Sequence, residues 1–227
     1  MPLGKKVSKK DKSHKEAKAQ LKAGRPLKSF LGDNFLEPQY IEEVEERNIN
    51  ILPELGVISE LGNNEKYNQT IQKCIQLIKK YPDFDFIYFW MGISYLGQSK
   101  YDQASSILIE GLSKSKSKAY LCCKLGEVEW KAGKAREALK WWCQSIHCHE
   151  SNPHDLDNTP YLYLSAISGG FGLKKEYNAF TSRAFSIRDA SLTHEAMTDI
   201  QNMFIEQKTH GMENVLKKMR KIYFKNY

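Results

Sequence analysis

The 227-residue sequence contains no apolar run of the eighteen or more residues that a helix needs to cross a bilayer, so no membrane span is expected. Its start, MPLGKKVSKKDKSHKEAK, is charged without the apolar core of a secretory signal. A cytoplasmic location is the expectation, or a nuclear one in a eukaryote. The five cysteines (Cys74, Cys122, Cys123, Cys143, Cys148) are odd in number and fall in otherwise helical stretches, unlike a secreted disulfide framework. They read as reduced thiols. Catalytic signatures are missing too: Gly169-Gly170-Phe171-Gly172 lacks the Lys-Ser/Thr of a phosphate loop, His194-Glu195 lacks a second histidine at metalloprotease spacing, and no serine sits in a Gly-x-Ser-x-Gly turn. No catalytic residue is assigned. Cys143, His147, Cys148, His149 and His154 contain no CxxC pair, and adjacent side chains on a helix diverge, so no metal ligands and no cofactor are assigned either.

What is present begins with charge. The formal net charge is +7, yet residues 1 to 28 hold ten Lys or Arg against Asp11 and Glu16, leaving 24 basic and 25 acidic side chains for the rest. The arm is therefore +8 and the body −1. Residues 1–30 carry few apolar side chains, too few to repay the entropy of ordering, and read as a flexible basic arm. Its Lys5, Lys6, Lys9, Lys10 and Lys12 are the candidate contacts for nucleic acid or an acidic partner. Residues 33–50, with Glu42, Glu43, Glu45 and Glu46, predict a short acidic lead-in helix. The 41% hydrophobic content of the whole chain supports a packed core.

That body repeats itself with a period of 34. Gly92 and Gly126 are one period apart, as are Ala104 and Ala138, and one step back reaches Ile58, Tyr67 (in register with Tyr101), Thr70 and Cys74. Helical spacing fits each unit: Phe86, Phe89, Trp90, Ile93 and Leu96 recur at three and four, then Ala104, Ile107, Leu108 and Leu112 after a polar break. Leu121 to Trp130 and Ala135 to Ile146 flank Gly133, a residue suited to a left-handed turn. Leu55 to Leu61 and Tyr67 to Ile78 form the first pair.

Residues 51–152 resemble tetratricopeptide repeats. The second unit fills that signature with Tyr88, Met91-Gly92, Tyr95, Tyr101, Ala104 and Leu108; the third supplies Leu125-Gly126, Gly133, Ala138 and Trp142. Three positions depart from it: Cys122 for a bulky residue, Glu129 for tyrosine, and Ile58 for glycine. The resemblance implies an all-α, right-handed solenoid of antiparallel helix pairs, with units at 51–84, 85–118, 119–152 and a degenerate 153–188. In the last, Ser168 is matched to Gly126, a step of 42, with Tyr177 in place of Tyr101 and Phe180 in place of Ala104, which predicts eight extra residues between Ser151 and Pro160. Residues 189–227 read as two C-terminal capping helices.

The first helices of such repeats line a concave groove. In phase these positions are Phe86, Phe89, Ile93 and Leu96, then Tyr120, Cys123, Glu127, Trp130 and Lys131, with Leu52, Leu55, Ser59 and Asn63 in the first unit. One subgroup of the family clamps a C-terminal carboxylate with cations at the positions held here by Leu55, Ser59, Phe89, Ile93, Cys123 and Glu127. None is a cation, so an anionic chain end would stay unpaired. The expected ligand is another protein's hydrophobic peptide or amphipathic helix, and the expected role a non-enzymatic adaptor or chaperone-like scaffold. Two other readings are a ribosome- or nucleic-acid-associated factor using the arm, and a client holder similar to secretion chaperones. The chain's own N-terminal helix is another candidate cover for the groove. Lys217, Lys218, Arg220, Lys221 and Lys225 make a second basic cluster, either a polar face or a partner surface.

Overall fold

The computed structural model describes residues 51–115, 118–151, 158–187, 194–207 and 211–224. Among these the secondary structure is helical, with no strand. The arm, the acidic lead-in segment, His154, Leu192 and Lys225 lie outside the described residues. Ten helices follow in order: α1 Leu52–Asn63, α2 Tyr67–Lys80, α3 Asp85–Gly97, α4 Tyr101–Lys114, α5 Ala119–Lys131, α6 Ala135–Ser151, α7 Thr159–Gly170, α8 Lys174–Ile187, α9 His194–Glu206 and α10 Met212–Tyr223. The first eight pack as neighbouring pairs. Pro53 and Pro160 occupy the first turns of α1 and α7, where a missing N–H costs nothing. Seven of the helices start without a side-chain cap, so their stability comes mainly from packing.

Each pair is joined by the same turn. Glu65, Ser99, Gly133 and Gly172 take φ of 56°, 57°, 75° and 68°. At Ser99 the amide donates to Leu96 O at 2.9 Å, and the next amide, Lys100 N–H, reaches back to Tyr95 O at 2.9 Å. This double bond pattern absorbs the orphan carbonyls at a helix end. It recurs with Lys66 N–H to Leu61 O, Lys134 N–H to Glu129 O and Leu173 N–H to Ser168 O. The residue that reaches back then opens the next helix: the carbonyls of Lys66, Lys100, Lys134 and Leu173 accept from Thr70, Ala104, Ala138 and Tyr177.

The positive-φ residues are spaced by 34, 34 and 39. The last step corrects the expected 42, and the packing agrees with it. A side chain on Gly92 would collide with Leu108, 2.5 Å from its Cγ, and one on Gly126 with the Trp142 indole. Stepping 39 from Gly126 and Trp142 reaches Ser165 and Thr181, whose hydroxyls are 2.6 Å apart. Ser165, not Ser168, is thus the counterpart of Gly126, and five residues are inserted rather than eight. Three of them lengthen α6, which has 17 residues against 14 in α4. The match of Tyr177 with Tyr101 fails for the same reason: Tyr177 stands at the position of Ala138, 37% exposed, while Ala138 is fully buried.

Two apolar clusters form the core. One gathers Leu55, Ile58, Cys74, Phe84, Phe86, Trp90, Leu108, Leu121, Leu125 and Val128 from α1 to α5. The other gathers Cys123, Trp142, Ile146, Tyr161, Tyr163, Phe180, Ile200, Phe204, Leu216 and Phe224, from α5 to the C-terminus. The two last helices take different places. α9 packs on α7 and reaches back to α6: Phe204 lies 6.1 Å from the Trp142 ring, and Gln207 Oε1 accepts from Ala135 N–H at 3.3 Å. α10 packs on α8, α7 and α6, and Arg220 Nε meets Glu176 Oε1 at 2.9 Å.

Candidate functional site

Heptad-like spacing on α3 and α5 turns one face of each toward the surface predicted to be a groove. Phe86 and Tyr120 are withdrawn into the core, with 5% and 8% of their surface exposed. They back the surface and do not offer themselves to a ligand. Phe89, Ile93, Leu96, Glu127 and Trp130 are half-buried, and Lys131 is exposed. Leu55, Ser59 and Cys123 are buried, while Asn63 is exposed.

The half-buried groups connect α3, α5 and α7. Phe89 sits edge-on to Tyr120, centroids 5.2 Å apart, and stacks beside Phe86 at 6.0 Å. The Lys124 ammonium lies 5.9 Å above the Phe89 ring and pairs with Glu127 one turn on. Glu127 also accepts from Tyr163 Oη at 2.8 Å. Tyr163 in turn lies 6.2 Å from Trp130, over whose ring Lys131 places its ammonium at 4.2 Å. A line of aromatic faces results, with cations and one carboxylate set beside them. Ile93 and Leu96 pack on the N-terminal cluster and extend the apolar strip along α3.

Sequence reasoning missed Lys124 and Tyr163. Lys124 was signalled by its spacing of three from Glu127. Tyr163 had no local signal, because its role depends on how α7 packs against α5. Glu127, the one carboxylate among the expected groove positions, is matched by Lys124.

A second polar group lies between α6, α7 and α8. Arg183 Nε and Tyr161 Oη donate to Glu150 Oε1 at 2.9 and 2.6 Å. Since the one hydroxyl proton of Tyr161 is used there, His149 carries its proton on Nδ1 and donates it to Tyr161 Oη across 2.7 Å. Burial pushes the Glu150 carboxyl up, but the nearby His149 ring and the hydrogen bonds from Arg183 and Tyr161 outweigh it and hold it at about 2. The phenol of Tyr161 is pushed up by burial and by the Glu150 charge. This network ties helices together.

His147 bonds through Nδ1 to the Tyr223 hydroxyl. Among the described residues no three His, Cys, Asp or Glu side chains converge to hold a metal ion, and no helix is long and apolar enough to cross a membrane. On α10, Lys217, Lys218 and Lys221 are exposed together with Val215 and Ile222, whereas Arg220 is spent on Glu176. Compared with known proteins, the chain matches no family model, no curated protein and no solved structure.

Proposed function

We propose that the chain is a non-enzymatic scaffold of the tetratricopeptide class, whose concave face on α3, α5 and α7 takes up an apolar peptide or amphipathic helix of a partner protein. The observation that carries this reading is the half-buried strip of Phe89, Ile93, Leu96 and Trp130, bordered by Lys124, Glu127 and Lys131. Apolar anchors in such a strip gain by leaving water, at about 25 cal/mol per Å² buried. The charged border fixes the direction of the guest. Four turns in register, spaced by 34, 34 and 39, support the family reading.

Affinity capture with the full chain tests it. The Phe89→Glu and Trp130→Ala variants keep their helical circular dichroism and lose the partner that the unaltered chain retains. Retention by both variants would overturn the groove.

A second reading rests on the arm, whose +8 charge is out of proportion to the −1 of the body. There the arm supplies affinity for RNA and the repeats supply docking to protein.

A further inference from the structure

The step of 39 that sets Ser165 opposite Gly126 also fixes the concave positions of α7. Counted on from Cys123, Glu127, Trp130 and Lys131, they are Leu162, Ala166, Gly169 and Gly170. Leu162 and Ala166 are buried, and α9 packs on α7 with Gln201 and Ile205 set against the two glycines. A Cβ on Gly169 would stand 3.2 Å from Gln201 Nε2, and one on Gly170 would stand 3.4 Å from Gln201 Cβ and 3.5 Å from Ile205 Cδ1. The third unit carries Trp130 and Lys131 at these two places. The fourth carries no side chain there, and α9 takes the room. Its seat is that of a guest helix: Met197, Ile200 and Phe204 are spaced i, i+3 and i+7, and all three belong to or pack against the C-terminal cluster. Glu195, Asp199, Asn202 and Glu206 keep its outer face polar and exposed. The hold is light. Of the described α9 side chains, Ile200 and Phe204 are fully buried, whereas α7 buries every residue from Pro160 to Ser168.

Building on the groove reading, we infer that α9 is a resident guest: it covers the α7 end of the concave face in the free protein and gives way to a partner helix of its own kind. The open strip ends where α9 begins, since the α7 counterpart of Trp130 is Gly169, against Gln201. Neighbouring helices pack about 8–10 Å apart, so a guest seated on Phe89 and Trp130 that runs one helix further meets α9. The chemistry of α9 then describes the guest. It carries aliphatic, methionine or aromatic anchors at i, i+3 and i+7, a flexible polar side chain at i+4 over the glycine pair, and a polar outer face. Leu162 and Ala166 stay covered throughout the exchange, and the apparent affinity for the partner falls by the fraction of molecules in which α9 is seated.

Hydrogen exchange of the full chain reads the release of α9. Amides from Met197 to Glu206 should exchange together, at least about tenfold faster than those from Tyr161 to Ile167 of α7. The double variant Gly170→Cys, Gln201→Cys sets two Cβ atoms within disulfide reach, 3.4 Å apart. Oxidised, it should slow α9 exchange by about tenfold or more and leave α3 and α4 unchanged; reduced, it should return to the fast rate. A synthetic peptide of residues 194–207 serves as the probe. It should bind the Ile200→Ala, Phe204→Ala variant at least about tenfold more tightly than the unaltered chain, and the oxidised lock not at all. Where circular dichroism shows the alanine variant unfolded, exchange and lock decide alone. Release of α9 only in one opening shared with α7, or equal peptide affinity for folded variant and unaltered chain, would overturn the inference. Neither readout involves Phe89 or Trp130, so retention of a partner by the Phe89→Glu and Trp130→Ala variants sinks the groove reading while the exchange of α9 stands.

Discussion

At the scale of single residues, Glu150 shows how buried charge is kept. Its side chain is 18% exposed and accepts from Arg183 and Tyr161, so removing its charge weakens two charge-assisted hydrogen bonds. Because the folded carboxyl titrates at about 2, below its ordinary 4.5, its contribution is complete above pH 4.5 and is lost as pH falls toward 2. The amount at stake is on the order of 3 kcal/mol. Urea unfolding between pH 5 and pH 2.5 should show that loss in the unaltered chain and a much flatter profile in Glu150→Gln; equal slopes would refute it. The network itself was hidden in the sequence. Glu150 and Arg183 are 33 residues apart on helices of different pairs, and no local spacing announces their meeting.

At the scale of elements, the turn between paired helices decides the register. Gly133 and Gly172 have room for a methyl group: the nearest atom to a Cβ on Gly133 is Gln207 Nε2 at 3.9 Å, and none lies within 4 Å at Gly172. Any cost of alanine there is therefore a backbone cost. Gly133→Ala should lower stability by about 1–2 kcal/mol. Ser99→Gly, at the matching position, should raise it by about 0.5–1 kcal/mol, because the relieved backbone strain slightly exceeds the entropy that glycine loses on folding. Denaturant midpoints of the two variants, moving in opposite directions, check the pair of values.

The same turn explains which parts of the fold were legible. The period of 34 could be read because Gly92, Gly126, Ala104 and Ala138 are small where helices approach closely. Matching Tyr177 to Tyr101 by likeness of side chain puts the fourth unit three residues out of phase. The backbone signal was Gly172, one turn-to-turn step after Gly133, and it was available in the sequence. In the candidate groove, Phe89 and Trp130 were legible as aromatic residues at helical spacing. Burial of Phe86 and Tyr120 was not, since it depends on the neighbouring helix.

At the scale of the whole molecule, charge is unevenly divided. The sequence pI of about 9.0 belongs to the first 28 residues, and the rest is close to neutral. Deleting residues 1–28 should abolish salt-dependent binding to RNA measured at two ionic strengths, and leave capture of a protein partner through Phe89 and Trp130 intact. If RNA binding persists at the same salt slope after the deletion, its seat lies elsewhere, with the exposed Lys217, Lys218 and Lys221 of α10 next in line.

One helix belongs to both halves of the core. Tyr120, Leu121, Leu125 and Val128 of α5 join the N-terminal cluster, while Cys123 joins the C-terminal one and Trp130 packs against it. α5 thus belongs to both clusters, and a cut on either side of it takes residues from one of them. The helix is the keystone: a change in how tightly it is gripped on one side alters its freedom on the other. The candidate groove is built on it as well, so a guest seated there loads both halves of the core through a single shared beam.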